Sequence, residues 1–189
     1  TGGADGNRDW VTLRNYRDDN ELDADINIRT HDIATLGLWG PKAANALGNF
    51  IDPNEIDISN FPFVTAKNLT LNLSGGKKVD VWAARISYVG ESGWEIYFNN
   101  DKDDGLALYD SLLEVGVVPV GIETYANSRR LEKSFRLQGA DLETDYTAIE
   151  AAIQRPLVKQ ADFHGKAAHL AQREEDPCAI LCTMTLDDL

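Results

Sequence analysis

Cysteine, methionine and histidine are scarce in this chain of 189 residues, which has two Cys, one Met and three His. Two cysteines cannot build a disulfide framework. Cys178 and Cys182 sit in the segment CAILC, within an alternating apolar run. If that run is a strand, both point to the same side, too far apart to bond one another. They read as small buried apolar residues. His31, His164 and His169 are not grouped for a metal, and each reads as a surface residue. No run approaches the roughly 18 apolar residues that a membrane helix needs, and no signal peptide is visible. Missing too are a phosphate loop, a GxGxxG fingerprint and a nucleophile-elbow serine or cysteine.

Positive charge is the other shortage. Lys plus Arg number 18 against 31 Asp plus Glu, a net charge of −13. A field of that sign repels a phosphate backbone, so nucleic acid is not an expected partner. The acid is dispersed, and its densest cluster, Asp101, Asp103 and Asp104, is short. A dispersed acidic surface with little Lys is expected of a halophilic protein in a high-salt cytoplasm, where screening removes the self-repulsion. The remaining composition, 43% hydrophobic, belongs to a globular chain long enough to bury a core. The chain opens without Met and stops in a strand-like CTMTLDDL, so both ends read as cut from a longer polypeptide.

Hydrophobic periodicity gives the order of elements. Residues 1–6 are a glycine-rich loop; Asn7 offers a helix cap, and Trp10, Leu13 and Tyr16 recur at helical spacing. Ile26 and Ile28 alternate with polar residues and predict a strand. Residues 33–39 predict a second strand, apolar enough to be buried on both faces. Gly40-Pro41 then introduces a short helix over residues 42–50. After the loop at 52–61 the period changes to two. Residues 64–73 and 77–88 predict paired strands about the Ser74-Gly75-Gly76 turn, and residues 94–98 a third beyond Gly90 and Gly93. Helices are expected over 106–116, 121–135, 149–153 and 164–173, with a short strand at 117–120 and a last one at the C-terminal end. An antiparallel or mixed sheet with packed helices, in that mixed order, is α+β.

One segment stands out chemically: Arg85-Ile86-Ser87-Tyr88-Val89-Gly90-Glu91-Ser92-Gly93-Trp94-Glu95-Ile96. It sets an aromatic and a carboxylate on either side of a two-glycine turn, where the backbone bends sharply and a ligand can approach closely. If Glu95 faces inward it needs donors, and a flat heterocycle with an amidine-like edge would supply two parallel hydrogen bonds. If it faces outward, it is a polar residue on a half-buried strand.

This segment, RISYVGESGWEIYF, resembles the Y-x-G-E-x-G-x-E signature of the aminomethyltransferase family, whose type member is the glycine-cleavage T-protein. LGLWGPKAANAL, ANSRRLEKSFRLQGADL, AIEAA and DFHGKAAHL resemble further family segments, in order and with similar spacing across essentially all of the chain. The RLEKSFR and CTMTLDD stretches are closer to the folate domains of dimethylglycine and sarcosine dehydrogenases. The resemblance implies a partial folate-binding aminomethyltransferase fold. Residues 1–189 would be its central part, short of an N-terminal part and a C-terminal barrel, in a family that surrounds folate with three domains. It implies tetrahydrofolate as cofactor, with Tyr88 and Glu95 binding the pterin and Asp9 as the catalytic acid–base residue near the folate amines. Read from its position alone, Asp9 is a first-turn helix acid favoured by the dipole.

The implied activity is one-carbon transfer, as in glycine cleavage or N-methyl amine oxidation. A lipoyl carrier protein, or a fused or associated flavin amine oxidase carrying FAD, would be the partner. A folate-dependent O- or S-demethylase and a non-catalytic folate-binding module are the alternatives, although the cysteine motif of iron–sulfur assembly relatives is missing. Ala126 stands where the T-protein has a pterin-holding Arg, Arg130 matches a second Arg that reads as structural, and Ala148 replaces a common Pro.

Overall fold

The computed structural model describes residues 5–100, 103–153 and 157–187. Residues 1–4 of the expected glycine-rich loop over 1–6, and Asp101 of the acidic cluster, lie outside them. The chain divides into two compact units, one running to Arg129 and the other starting at Arg130.

The first unit is built on a four-stranded antiparallel sheet: β1 (Ile33–Trp39), β2 (Ala66–Asn72), β3 (Lys78–Ala84) and β4 (Gly93–Asn99), in the order β1-β4-β3-β2. Strands β2, β3 and β4 form the expected meander, and β1 joins its far side. Helices α1 (Gly6–Asp19), α2 (Ala43–Leu47), α3 (Pro53–Ile56) and α4 (Asp104–Glu114) complete the unit, with a π-helical turn over Thr124–Arg129. The second unit holds α5 (Arg130–Glu132) and α6 (Lys166–Gln172). The architecture is α+β.

Alternation with period two sorts the sheet into two faces. Val79, Val81 and Ala83 of β3, with Trp94, Ile96 and Phe98 of β4, point into the core, where Leu47, Phe50, Phe61, Leu108 and Leu112 pack against them. Trp94 is fully buried, and the Arg85 guanidinium lies 5.0 Å from its ring centroid. From there Arg85 donates to the carbonyls of Ile56 (3.0 Å) and Phe61 (2.9 Å), tying down a loop that has no ladder of its own. The opposite face carries Trp82 of β3 together with Glu95 and Tyr97 of β4.

Several expectations are corrected. β1 is an edge strand, and Leu38 alone among its residues is fully buried. Ile26 and Ile28 lie in coil with no ladder partner, residues 117–120 are coil as well, and residues 149–152 form a turn. The alternating C-terminal run is not a strand either. Among the described residues its backbone link is Leu181 N–H to the Glu150 carbonyl (2.7 Å), so Cys178 and Cys182 are exposed thiols rather than core. For residues 26–28, residues 117–120 and the C-terminal run, an apolar pattern finds no neighbouring strand among the described residues to complete its hydrogen bonds. The cap of α1 is Asp5 rather than Asn7, and no side-chain hydrogen bond closes it. The expected helix at 121–135 takes a π-turn before ending at Glu132.

Candidate functional site

The sheet's second face holds the chemistry. Antiparallel register sets Glu95 opposite Gly37 on one side and Ala84 on the other, two positions with little or no side chain. Glu95 therefore stands in a gap between bulky neighbours. On the Gly37 side the gap is bounded by Trp39, whose indole folds back over the glycine: a Cβ there would lie 2.1 Å from the Trp39 ring. Trp39 Nε1 donates to the Ile86 carbonyl at 2.9 Å, which fixes the ring to the segment carrying Tyr88.

Tyr125, brought in by the π-turn, stacks on Trp39 with ring centroids 5.4 Å apart and planes 25° from parallel. Tyr88 meets the same Tyr125 ring at 5.3 Å and 50°. Offset and tilted arrangements at such distances are favourable aromatic contacts. π-turns recur at functional sites because one extra residue redirects the side chains of a helix. Within β4, Tyr97 donates its phenolic hydrogen to Glu95 Oε2 and packs on Trp82, its cross-strand partner, at 5.0 Å.

The electrostatics agree with this geometry. Burial pushes the Tyr97 phenol up to about 12, helped by its hydrogen bond to Glu95 and the charge there. Burial also raises the Tyr125 phenol, with the Glu95 carboxylate and then Tyr88 adding to the shift. Glu95 is thus the half-buried charge around which these rings gather. Beside them runs a groove of about 880 Å³, bordered by Trp39, Val89, Tyr109, Val118, Ile122 and Tyr125. At its edge Arg129 Nη2 pairs with Glu91 Oε1 at 2.6 Å, joining the π-turn to the Gly90–Gly93 bend. The Ser87 hydroxyl next to Tyr88 is buried without a hydrogen-bond partner among the described residues.

The structure gathers two of the three sequence-predicted site residues. Tyr88 and Glu95 both bear on Tyr125, one through its ring and the other through its charge. Asp9 lies in the first turn of α1, a helix that buries none of its residues, and its carboxylate is 3.9 Å from Arg8 Nε of the same helix. Arg130 is 8% exposed and pairs with Asp141, the structural role expected of it. Trp39, Tyr97, Tyr125 and the Glu91–Arg129 pair were not foreseen. The two-residue spacing of Glu95 and Tyr97 is the signal that would have found Tyr97, since such residues share a face.

The profile of the family described as "GCVT N-terminal domain" matches residues 1–160. Human mitochondrial dimethylglycine dehydrogenase is 36% identical over 152 residues, 77% of this chain and 16% of that protein. The aminomethyltransferase of Alkaliphilus metalliredigens (strain QYMF) is 32% identical over 158 residues, 80% of this chain and 40% of that protein. The aminomethyltransferase of Geobacillus sp. (strain WCH70) is 34% identical over 156 residues, 79% of this chain and 40% of that protein. The chain thus spans well under half the length of these relatives, and the resemblance read from its motifs agrees with all of them.

Proposed function

This chain belongs to the GCVT N-terminal domain family, and on that premise we propose that it holds tetrahydrofolate during transfer of a one-carbon unit, aminomethyl or methylene. The names of its relatives, aminomethyltransferase and dimethylglycine dehydrogenase, support that class of reaction. The observation that carries the reading is Glu95, a half-buried carboxylate held by Tyr97 on a face walled by Trp39, Tyr88 and Tyr125. A carboxylate presents two acceptor oxygens, which match the adjacent N–H donors on the edge of a pterin. The aromatic rings suit the flat sides of the same ring system.

Bound tetrahydrofolate supplies two amines that accept the one-carbon unit. The chain's own residues bind and orient. Glu95 fixes the pterin edge and with it the angle of the whole ligand. Tyr88, Tyr125 and Trp39 keep water from one side, which strengthens every hydrogen bond Glu95 makes. Asp9 is the proposed proton acceptor near the folate amines, supported by the similarity of residues 1–10 to the family's aspartate-containing segment. Among these residues Arg129 is the guanidinium nearest in sequence to Ala126, and it is engaged with Glu91.

The match to 40% of the length of the aminomethyltransferases supports reading the chain as part of a folate-binding aminomethyltransferase fold, and we propose that it is the central part. The one-carbon donor would reach it from a lipoyl carrier protein or from a flavin-dependent amine oxidase, and FAD belongs to the second case alone. No helix among the described residues is long and apolar enough to cross a membrane. The dispersed acid, −13 overall, supports a high-salt cytoplasm as its setting. Isothermal titration of the chain with 5-formyltetrahydrofolate tests the reading: saturable binding is expected, and no heat of binding at millimolar ligand would contradict it.

A further inference from the structure

We infer that Tyr97 is a positioning residue for the folate site, holding the Glu95 carboxylate in one rotamer on the face that Tyr125 borders. The inference rests on the folate reading above and adds to it the device that prepares Glu95 for its ligand.

Residues 95 and 97 lie on one face of β4 because strand side chains alternate. A strand rises about 3.3 Å per residue, so their Cα atoms are separated by roughly twice that. The phenol reaches Glu95 because the Tyr97 ring leans along the strand, as strand side chains do. What keeps it leaning is Trp82, which faces Tyr97 directly across the β3–β4 ladder and packs on it at 5.0 Å with planes 56° apart. Glu95 has no bulky side chain directly opposite it on either strand, since its cross-strand neighbours are Gly37 and Ala84, and the Trp39 indole over Gly37 bounds one side of its gap only. A glutamate in such a gap would sample several rotamers, and fixing it on binding costs entropy. The Tyr97 bond removes that cost before the ligand arrives.

The donor side of the bond also survives well into alkaline pH. The phenol donates only while protonated, and burial with the Glu95 contact keeps it so up to about 12. Burial, and after it the Glu95 charge, moves the ionisation of Tyr125 upward as well. Oε2 of Glu95 thus has a permanent donor on one lone pair, and its second lone pair together with Oε1 stays open to the two donors of a ligand edge.

Two measurements on the full chain test this. Tyr97→Phe keeps the ring against Trp82 and deletes the donor. Its affinity for 5-formyltetrahydrofolate is expected to fall about tenfold, the usual worth of a hydrogen bond to a charged group, with unchanged circular dichroism. Separately, carbon-13 NMR of ring-labelled tyrosine followed through alkaline pH is expected to show Tyr97, assigned by its loss in Tyr97→Phe, ionising at lower pH in Glu95→Gln than in the wild type, with burial still holding it above the free value. A purely packing role for Tyr97 would not make its ionisation answer to residue 95. Wild-type affinity in Tyr97→Phe, or a Tyr97 resonance indifferent to Glu95→Gln, would overturn the inference. If the wild type binds no folate, the functional reading fails and the NMR result alone decides whether the two side chains are coupled.

Discussion

The indole of Trp39 lies over Gly37 so closely that a Cβ on the glycine would sit 2.1 Å from the ring. That contact places one wall of the site, because Trp39 carries Tyr125 on its face and Gly37 is the cross-strand neighbour of Glu95. Gly37→Ala must therefore displace the indole. The expected result is a loss of about 1–3 kcal/mol in stability, the usual cost of overpacking, together with weaker folate binding. Urea unfolding checks the first and calorimetry the second; an unchanged unfolding midpoint would mean that the ring is not seated there.

Arg85 makes a different kind of prediction, one about the core. It is 8% exposed, lies on Trp94 and donates to two carbonyls of the 56–61 loop. Arg85→Met keeps most of the apolar stem and removes the donors, leaving both carbonyls to find water or remain unpaired. A stability loss on the order of 3 kcal/mol is expected from two buried acceptors left without donors, read as a lower urea midpoint.

Alkaline unfolding should carry the signature of Tyr97. Its phenol titrates near 12 in the fold and near 10 when free. The folded state therefore holds that proton more tightly. The contribution to stability is complete below about pH 10 and is lost as pH rises through about 12. Tyr97→Phe is expected to flatten the fall in stability above pH 10 relative to wild type, measured by denaturant unfolding at successive pH values. An identical slope in the two proteins would contradict the assignment.

Salt dependence follows from charge alone. With 31 acidic against 18 basic residues the chain repels itself at low ionic strength. Thermal unfolding is expected at higher temperature in 2 M KCl than in 50 mM KCl, and a midpoint that falls or stays put would count against the high-salt setting.

Much of the fold was legible in the sequence because the decisive pattern was local. The β2–β3 turn announced itself through Gly75 and Gly76, both of which adopt positive φ (75° and 81°), and β4 through Trp94, Ile96 and Phe98 alternating with Glu95 and Tyr97. What was not legible depended on neighbours. The run Ile-Ala-Thr-Leu-Gly-Leu-Trp reads as buried on both faces, yet Ile33, Thr35 and Gly37 on its outward side are exposed, with the Trp39 indole folded back over Gly37. The alternating segment around Cys178 and Cys182 has the composition of a strand but no adjacent backbone to pair with among the described residues. The site shows the same division. Tyr88 and Glu95 could be named from a local motif, whereas Tyr125 enters through a π-turn, which hydrophobic periodicity does not report.

Calorimetric titration of the wild-type chain and its Glu95→Gln variant with 5-formyltetrahydrofolate tests the central claim most directly. Replacing one carboxylate oxygen by an amide puts a donor where an acceptor is needed and removes the charge, with little change in shape. The expected result is saturable binding by the wild type and a loss of at least about a hundredfold in the variant; equal affinity in the two proteins would contradict it.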